Sequence, residues 1–196
     1  MRHPDITRCL AKPVIPVIRE ISNQRDLLAG ASALILQGGT VLELLRTLEE
    51  LDAELRQKLH VLVHIDLISG LENNEAGLEF LASLQCVSGV VTVHHNLTRP
   101  ASRLGMLSIL RMFLTDSRAV ERCLSVVSKS KPDAMEIMPT AAAARTANDF
   151  KKVPIPRIAG GLCRSAKDLQ EALDSGIQAV TSTSPSLWEC NFQHVQ

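Results

Sequence analysis

Short apolar segments recur along the whole chain, and this repeat is the feature that most limits the folds open to it. Eight strand candidates begin at residues 14, 33, 61, 90, 108, 134, 155 and 179, roughly 24 residues apart on average, the length of one strand plus one helix. Segments predicted to be helical lie between them, such as a weak helix around residues 21–28 and a stronger one from Val41 whose leucines run from Leu44 to Leu55. Because each helix carries the chain back along the sheet, the strands are expected to pair in parallel.

Eight parallel strands favour closure of the sheet. We therefore predict an α/β fold, a compact TIM-type (β/α)8 barrel. It is expected to form one domain over residues 1–196, with a core at about 14–188 and short tails. An open doubly wound sheet is the alternative, since it needs fewer strands. Two features count against the barrel: the chain is slightly shorter than the usual lower limit of ~200 residues, and Pro16 and Pro156 each remove a donor from a strand candidate.

Charge and composition exclude several classes of protein. The 21 basic and 21 acidic residues give no net charge, so the chain lacks the basic footprint of a strong nucleic-acid binder, and it carries no DNA-binding motif. No apolar run is long enough to span a membrane, and the first residues lack the hydrophobic region of a signal peptide. The five cysteines are scattered without a C-x-x-C pair. We expect a cytoplasmic protein with reduced thiols and no membrane partner.

Two strand ends near the C-terminus are rich in small, hydrogen-bonding residues. One strand candidate ends in a glycine pair and the last one in a Thr-Ser-Thr run, with a predicted capping box opening the helix between them. Glycines allow backbone N–H groups to approach an anion, hydroxyls donate further bonds, and a helix N-terminus adds a favourable dipole. Counted as the seventh and eighth strands, they stand where barrels often bind phosphate, although a plain βα turn is the alternative. The predicted phosphate-binding residues are Gly160, Gly161, Thr181, Ser182 and Thr183.

Charged side chains also fall near the ends of three earlier strand candidates. Strand alternation places His64 and Asp66 on one face of the third candidate and Arg111 on one face of the fifth, while Glu136 is near the end of the sixth. These four residues are predicted to line a ligand pocket, where ionised carboxylates bind the hydroxyls of a small polyol. The alternative is a buried Arg111–Glu136 layer that only shapes the barrel.

The sequence offers little for catalysis. Every lysine lies outside the strand candidates, so none is placed to form a Schiff base. His94 and His95 are adjacent and point to opposite faces of a strand, so at most one of them would join His64 and Asp66 at a metal. We predict no catalytic residues, no metal and no cofactor.

Several segments in fixed order resemble the glycerol-3-phosphate-responsive antiterminators, regulatory proteins of bacterial glycerol uptake operons. The likeness runs from about Val14 to Trp188. It is carried by the segments 63–70, 111–117, 131–139, 155–162 and 179–183, and by Leu187-Trp188.

The resemblance implies a TIM-type barrel that binds glycerol 3-phosphate as its effector and acts on a leader mRNA to prevent termination, without catalysis. It implies ligand contacts at His64, Asp66, Arg111 and Glu136, and phosphate contacts at the two small-residue turns. A homo-oligomer remains compatible with the sequence.

The chain departs from the family pattern at His94-His95, where a Ser/Thr-rich turn with a basic residue is usual, and at Leu110, where Gln is common. It also has Thr140 in place of a glycine after Pro139, and its neutral charge is unusual for the family. Two rival functions follow from the residues. One is an isomerase or epimerase of a small phosphorylated metabolite, with Asp66 and Glu136 as acid and base. The other is a sensor that signals to a protein partner instead of RNA.

Overall fold

The eight strands form a closed barrel in which every strand pairs in parallel with its neighbours in chain order. The structure is a computed structural model that describes residues 4–21 and 24–193. Val14 pairs with Val180, which joins the first strand to the last and closes the sheet. The predicted barrel is confirmed. The strands are β1 (Val14–Ile18), β2 (Ala33–Leu36), β3 (His60–His64), β4 (Val87–Thr92), β5 (Leu107–Phe113), β6 (Ala134–Met138), β7 (Arg157–Gly160) and β8 (Ala179–Ser182).

Helices alternate with these strands and cover the outside of the barrel. Two 3-10 turns, Ile65–Leu67 and His95–Leu97, follow β3 and β4 directly. In the described part of the chain the α-helices are α1 (Ile6–Cys9), α2 (Arg25–Leu28), α3 (Val41–Glu50), α4 (Ala53–Lys58), α5 (Glu75–Ser83), α6 (Thr98–Arg103), α7 (Ser117–Ser130), α8 (Thr140–Arg145), α9 (Ala166–Asp174), α10 (Pro185–Trp188) and α11 (Cys190–Gln193).

Some boundaries differ from the predictions. The helix predicted from Val41 through Leu55 is two helices, because Asp52 caps a new one by accepting a hydrogen bond from the Leu55 N–H. β7 begins at Arg157, so Pro156 precedes the strand and costs it no donor; its carbonyl accepts from the Met135 N–H. Residues 22 and 23 of the helix predicted at 21–28 lie outside the described residues. The single-domain assignment over residues 1–196 stays a prediction.

The barrel interior is apolar over most of its length. Residues from all eight strands fill it, including Leu62, Ile109 and Ile158, each no more than 1% exposed. At the end where the strands begin, Cys9 joins this cluster, and Ile6 and Leu10 pack against it, so α1 closes that end. The open end is therefore the one where the strands finish, which is the end that carries the sites of (β/α)8 barrels.

A second apolar layer lies between the strands and the helices. α7 shows why this layer forms: it turns Ala119, Cys123 and Val127 toward the barrel at helical spacing, and Asp116 caps its first turn. At the C-terminal end, the Asn191 amide both accepts from the Val14 N–H and donates to the Val14 carbonyl, which ties α11 to β1. The helices thus fix the strand ends from outside.

Candidate functional site

A cleft of about 170 Å³ opens at the end of the barrel where the strands finish. Its walls come from the ends of β1, β2, β5 and β6 and from the turns after β7 and β8. The lining residues are Val17, Gln37, Arg111, Met138, Gly161, Leu162, Cys163, Thr181, Ser182 and Thr183. Five of the nine residues predicted to bind ligand or phosphate are among them.

The floor of the cleft is a buried ion pair between neighbouring strands. Arg111 of β5 stands in register with Glu136 of β6, so both side chains point into the barrel. The Arg111 Nε donates to Glu136 Oε2 at 2.7 Å, and Nη2 donates to Oε1 at 3.2 Å. The Thr181 hydroxyl donates to the same Oε1 at 2.6 Å. Glu136 is 0% exposed, and this network satisfies its carboxylate without solvent.

Gly160 is required by this network. A Cβ atom at that position would lie 2.3 Å from Thr181 Oγ1 and 2.8 Å from Glu136 Oε1. Both atoms are held by hydrogen bonds, so neither moves away without losing one. The predicted phosphate role of Gly160 therefore has a competing explanation in packing, and Gly160 lies in β7 behind the cleft wall.

The turn after β7 lines the cleft and has an unusual backbone conformation. Gly161 and Leu162 both have left-handed backbone conformations, with φ of 72° and 59°. Among the residues that the structure describes, none accepts a hydrogen bond from the N–H groups of Gly161, Leu162 or Thr183. Successive N–H groups in a concave turn form an anion-binding geometry. The hydroxyls of Ser182 and Thr183 lie beside them in the same cleft.

The N-terminus of α9 already carries a carboxylate of the chain itself. The predicted capping box is present, with the Ser165 hydroxyl accepting from the Asp168 N–H. However, the Asp168 carboxylate itself accepts from the N–H groups of Arg164 and Ser165. These two donors are occupied, and the carboxylate places a negative charge at the helix end. The dipole contribution of α9 to anion binding stays a prediction.

His64 and Asp66 lie near the ion pair, outside the lining of the cleft. Asp66 follows β3 in a 3-10 turn, off the strand face predicted for it, and accepts from the Thr92 hydroxyl at 2.6 Å and the Val93 N–H at 2.7 Å. His64 Nδ1 is buried without a hydrogen-bond partner, 3.8 Å from Asp66 Oδ2. Burial, and then the positive charge of Arg111, lower the pKa of His64 to about 4 from 6.5. His64 is therefore neutral at physiological pH.

Arg111, Gly161, Thr181, Ser182 and Thr183 thus border the cleft, while His64, Asp66, Glu136 and Gly160 lie behind or beside it. Ligand contact by any of the nine stays a prediction. Sequence reasoning missed the other five lining residues, which lie at strand ends and in turns: Val17, Gln37, Met138, Leu162 and Cys163.

Gln37 had a signal in the sequence, because it stands between the end of β2 and a glycine pair, the same pattern that marks the turn after β7. Its side-chain Oε1 lies 3.4 Å from Arg111 Nη1, so it approaches the ion pair from the opposite wall of the cleft.

The structure gives little support for a metal site or a membrane-spanning segment. Across residues 4–21 and 24–193, no group of three or more His, Cys, Asp or Glu side chains could hold a metal ion. His94 and His95 are both exposed at the turn after β4. No helix in the same ranges has the length and apolar character needed to cross a membrane.

Together, the closed sheet and the cleft at its open end define a TIM-type (β/α)8 barrel with a cleft at the end where that fold carries its sites. The chain belongs to the glycerol-3-phosphate responsive antiterminator family, whose model matches residues 14–188. The resemblance noted in the sequence is thereby confirmed.

Relatives support this assignment. The crystal structure of a glycerol uptake operon antiterminator regulatory protein from Listeria monocytogenes str. 4b F2365 is 28% identical, with a TM-score of 0.77 over 90% of this chain and 95% of that chain. A glycerol uptake operon antiterminator-related protein from Thermotoga maritima MSB8 has the same fold, at 24% identity and a TM-score of 0.77 over 91% and 98% of the two chains. The uncharacterized protein YgcP of Escherichia coli K12 is 28% identical over 66% of this chain and 68% of its own length.

Enzymes share the architecture as well. An N-acetylmannosamine-6-phosphate 2-epimerase from Clostridium perfringens is 16% identical, with a TM-score of 0.62 over 100% of this chain and 98% of that chain. At this identity the likeness concerns the fold alone.

Proposed function

We propose that this protein binds glycerol 3-phosphate in the cleft and, when loaded, acts on a leader transcript as an antiterminator. One observation carries the proposal: two turns whose N–H groups have no acceptor among the described residues line the same small cleft as a single arginine. The phosphate is expected to accept hydrogen bonds from the N–H groups of Gly161, Leu162 and Thr183. The hydroxyls of Ser182 and Thr183 add donors.

The glycerol end of the ester would then point toward Arg111 and Gln37. The ion pair with Glu136 uses Nε and Nη2 of the guanidinium, so Nη1 keeps only the 3.4 Å contact to Gln37. This nitrogen and the Gln37 amide can bind ligand hydroxyls without breaking the buried pair. The Glu136 carboxylate acts through Arg111, which it holds in place.

The regulatory part of the proposal rests on family membership. A ligand changes the affinity for RNA only if it binds one conformation better than another. Leu162, which borders the cleft and is 67% exposed, lies on the turn that the phosphate would order. Because the chain has no net charge, RNA affinity without ligand should be low, rising with glycerol 3-phosphate and falling steeply with salt.

We propose further that the protein is not an enzyme. An acid–base pair needs carboxylates that can exchange protons with a substrate. Glu136 is fully buried in its ion pair, and Asp66 is held by Thr92 and Val93. Turnover of any member of a panel of phosphorylated sugars, abolished in Asp66→Asn, would contradict this part of the proposal.

The binding step is tested by the thermal unfolding midpoint with millimolar glycerol 3-phosphate, and with glycerol and inorganic phosphate as controls. Ligand at ~100 times its Kd adds about 2.7 kcal/mol, or roughly 5–10 °C for a chain of this size. Gly161→Asp should abolish the shift, because it places a carboxylate among the phosphate donors.

Gly105→Asp is the matched control for backbone strain. Gly105 also has a positive φ, of 76°, but follows α6 at the other end of the barrel with nothing within 4 Å of an added Cβ. The Gly105→Asp variant should keep the ligand-induced shift of the thermal unfolding midpoint. A shift no larger with the ester than with phosphate alone would refute glycerol 3-phosphate as the effector.

A further inference from the structure

A second pocket lies beside the cleft, on the outer side of β5. It has a volume of about 240 Å³ and stands between β5, the 3-10 turn at 95–97 and α7. Phe113 forms part of its wall, and His95 and Arg122 border it. The pocket is large enough for one heteroaromatic ring.

Phe113 is unusually exposed for its residue type. It is 56% exposed, whereas Phe150 is buried at 1%. Exposed large hydrophobic side chains gather at this end of the barrel, where Leu67, Val93 and Leu162 follow β3, β4 and β7. Such a patch beside a ligand site is typical of a surface that contacts a partner.

The charge of the lining residues indicates which kind of partner the pocket would bind. Its titratable lining residues are Arg111, Arg122, His95 and Cys123, and none of its lining residues is acidic. An aromatic face next to basic groups suits single-stranded RNA, since a base stacks on the ring while the phosphates meet the cations. A purely acidic protein segment would use the basic groups alone, and a purely apolar one the ring alone.

The pocket is also connected to the effector cleft. Arg111 borders both, and Phe113 lies two residues further along the same strand. A ligand that displaces this part of β5 therefore acts on a wall of the second pocket. The groove at the opposite end of the barrel, lined by Arg8 and Phe192 among others, has no such connection.

We propose that this pocket takes an unpaired base of a single-stranded RNA, which stacks on Phe113 while Arg122 and His95 meet the flanking phosphates. The inference rests on the proposed RNA role and adds the place where RNA binds. It puts the RNA surface at the effector end of the barrel, next to Arg111.

The test is fluorescence anisotropy of a labelled oligouridylate of about 20 nucleotides at roughly 50 mM salt, with glycerol 3-phosphate present. Phe113→Ala should weaken binding by about tenfold through the lost stack. Arg122→Gln should weaken it and reduce the dependence of log affinity on log salt by about one unit. Retention of the ligand-induced thermal shift by both variants shows that they fold and keep the cleft.

The opposite end of the barrel supplies matched controls, Phe192→Ala and Arg8→Gln, which remove the same groups from another groove. Both should bind the RNA as the unaltered protein does. Loss of binding in these variants, or full binding in Phe113→Ala and Arg122→Gln, overturns the base pocket. Absence of RNA binding by the unaltered protein refutes the RNA role itself, and the inference with it.

Discussion

The buried ion pair gives the clearest quantitative prediction, through Arg111→Met. This change removes two donors, at 2.7 and 3.2 Å, from a carboxylate that is 0% exposed, and leaves it only the Thr181 hydroxyl. Breaking a buried pair by removing one partner costs about 3–5 kcal/mol, because the remaining charge is buried without compensation. We therefore expect the free energy of unfolding in urea to fall by that amount.

Two further variants make the test specific. Arg111→Met combined with Glu136→Leu removes both charges, and it should recover most of the loss because a well-packed apolar pair is often as stable as a buried ion pair. Arg19→Met is the matched surface control: Arg19 and Glu43 also approach to 2.7 Å, but their side chains are 61% and 40% exposed. That control should change stability little. A loss below about 1 kcal/mol in Arg111→Met would mean that water reaches Glu136, and the account of the cleft floor would be wrong.

Two other predictions concern the same region. Gly160→Ala should destabilise the fold by about 1–3 kcal/mol or more, since the new methyl group meets Thr181 and Glu136; an unchanged urea midpoint would refute this. Because the pKa of His64 is lowered from 6.5 to about 4, the unfolded state binds more protons than the folded state between these values, so stability is lost as pH falls. We expect the free energy of unfolding to be about 2 kcal/mol lower at pH 5 than at pH 7. His64→Leu should flatten this pH dependence, and His95→Gln should leave it steep. Equal slopes in the unaltered protein and both variants would contradict the prediction.

The architecture was predictable because it repeats. Eight apolar segments at regular spacing admit few topologies, and the observed strands begin within three residues of the predicted positions. The Arg111–Glu136 pair was also within reach, since strand alternation sends both side chains inward and neighbouring strands bring them together. Sequence alone left open whether that pair binds ligand or shapes the barrel. The structure shows the pair buried, with only Arg111 bordering the cleft.

The remaining features of the fold and the candidate site depend on contacts and backbone conformations that no local sequence pattern specifies. The Asp168 carboxylate looked like an ordinary capping-box partner, and only the fold shows that it also takes the Arg164 N–H. Leu162 has a left-handed backbone although residues other than glycine rarely adopt it. α1 closes the bottom of the barrel through Cys9, yet four residues are too short for a periodic signal.

A neutral chain with backbone donors suits a reversible sensor. None of the residues lining the cleft is a lysine, and the charge of Arg111 is already offset by Glu136. A phosphate ester bound there would depend on the N–H groups of Gly161, Leu162 and Thr183, whose partial charges attract an anion less strongly than a free ammonium group. Such a site is expected to release its ligand as the concentration falls. Because the chain carries no net charge, the unloaded barrel should not attract RNA by charge alone. Under the proposed function, the effector rather than the protein's own field would decide when RNA is bound.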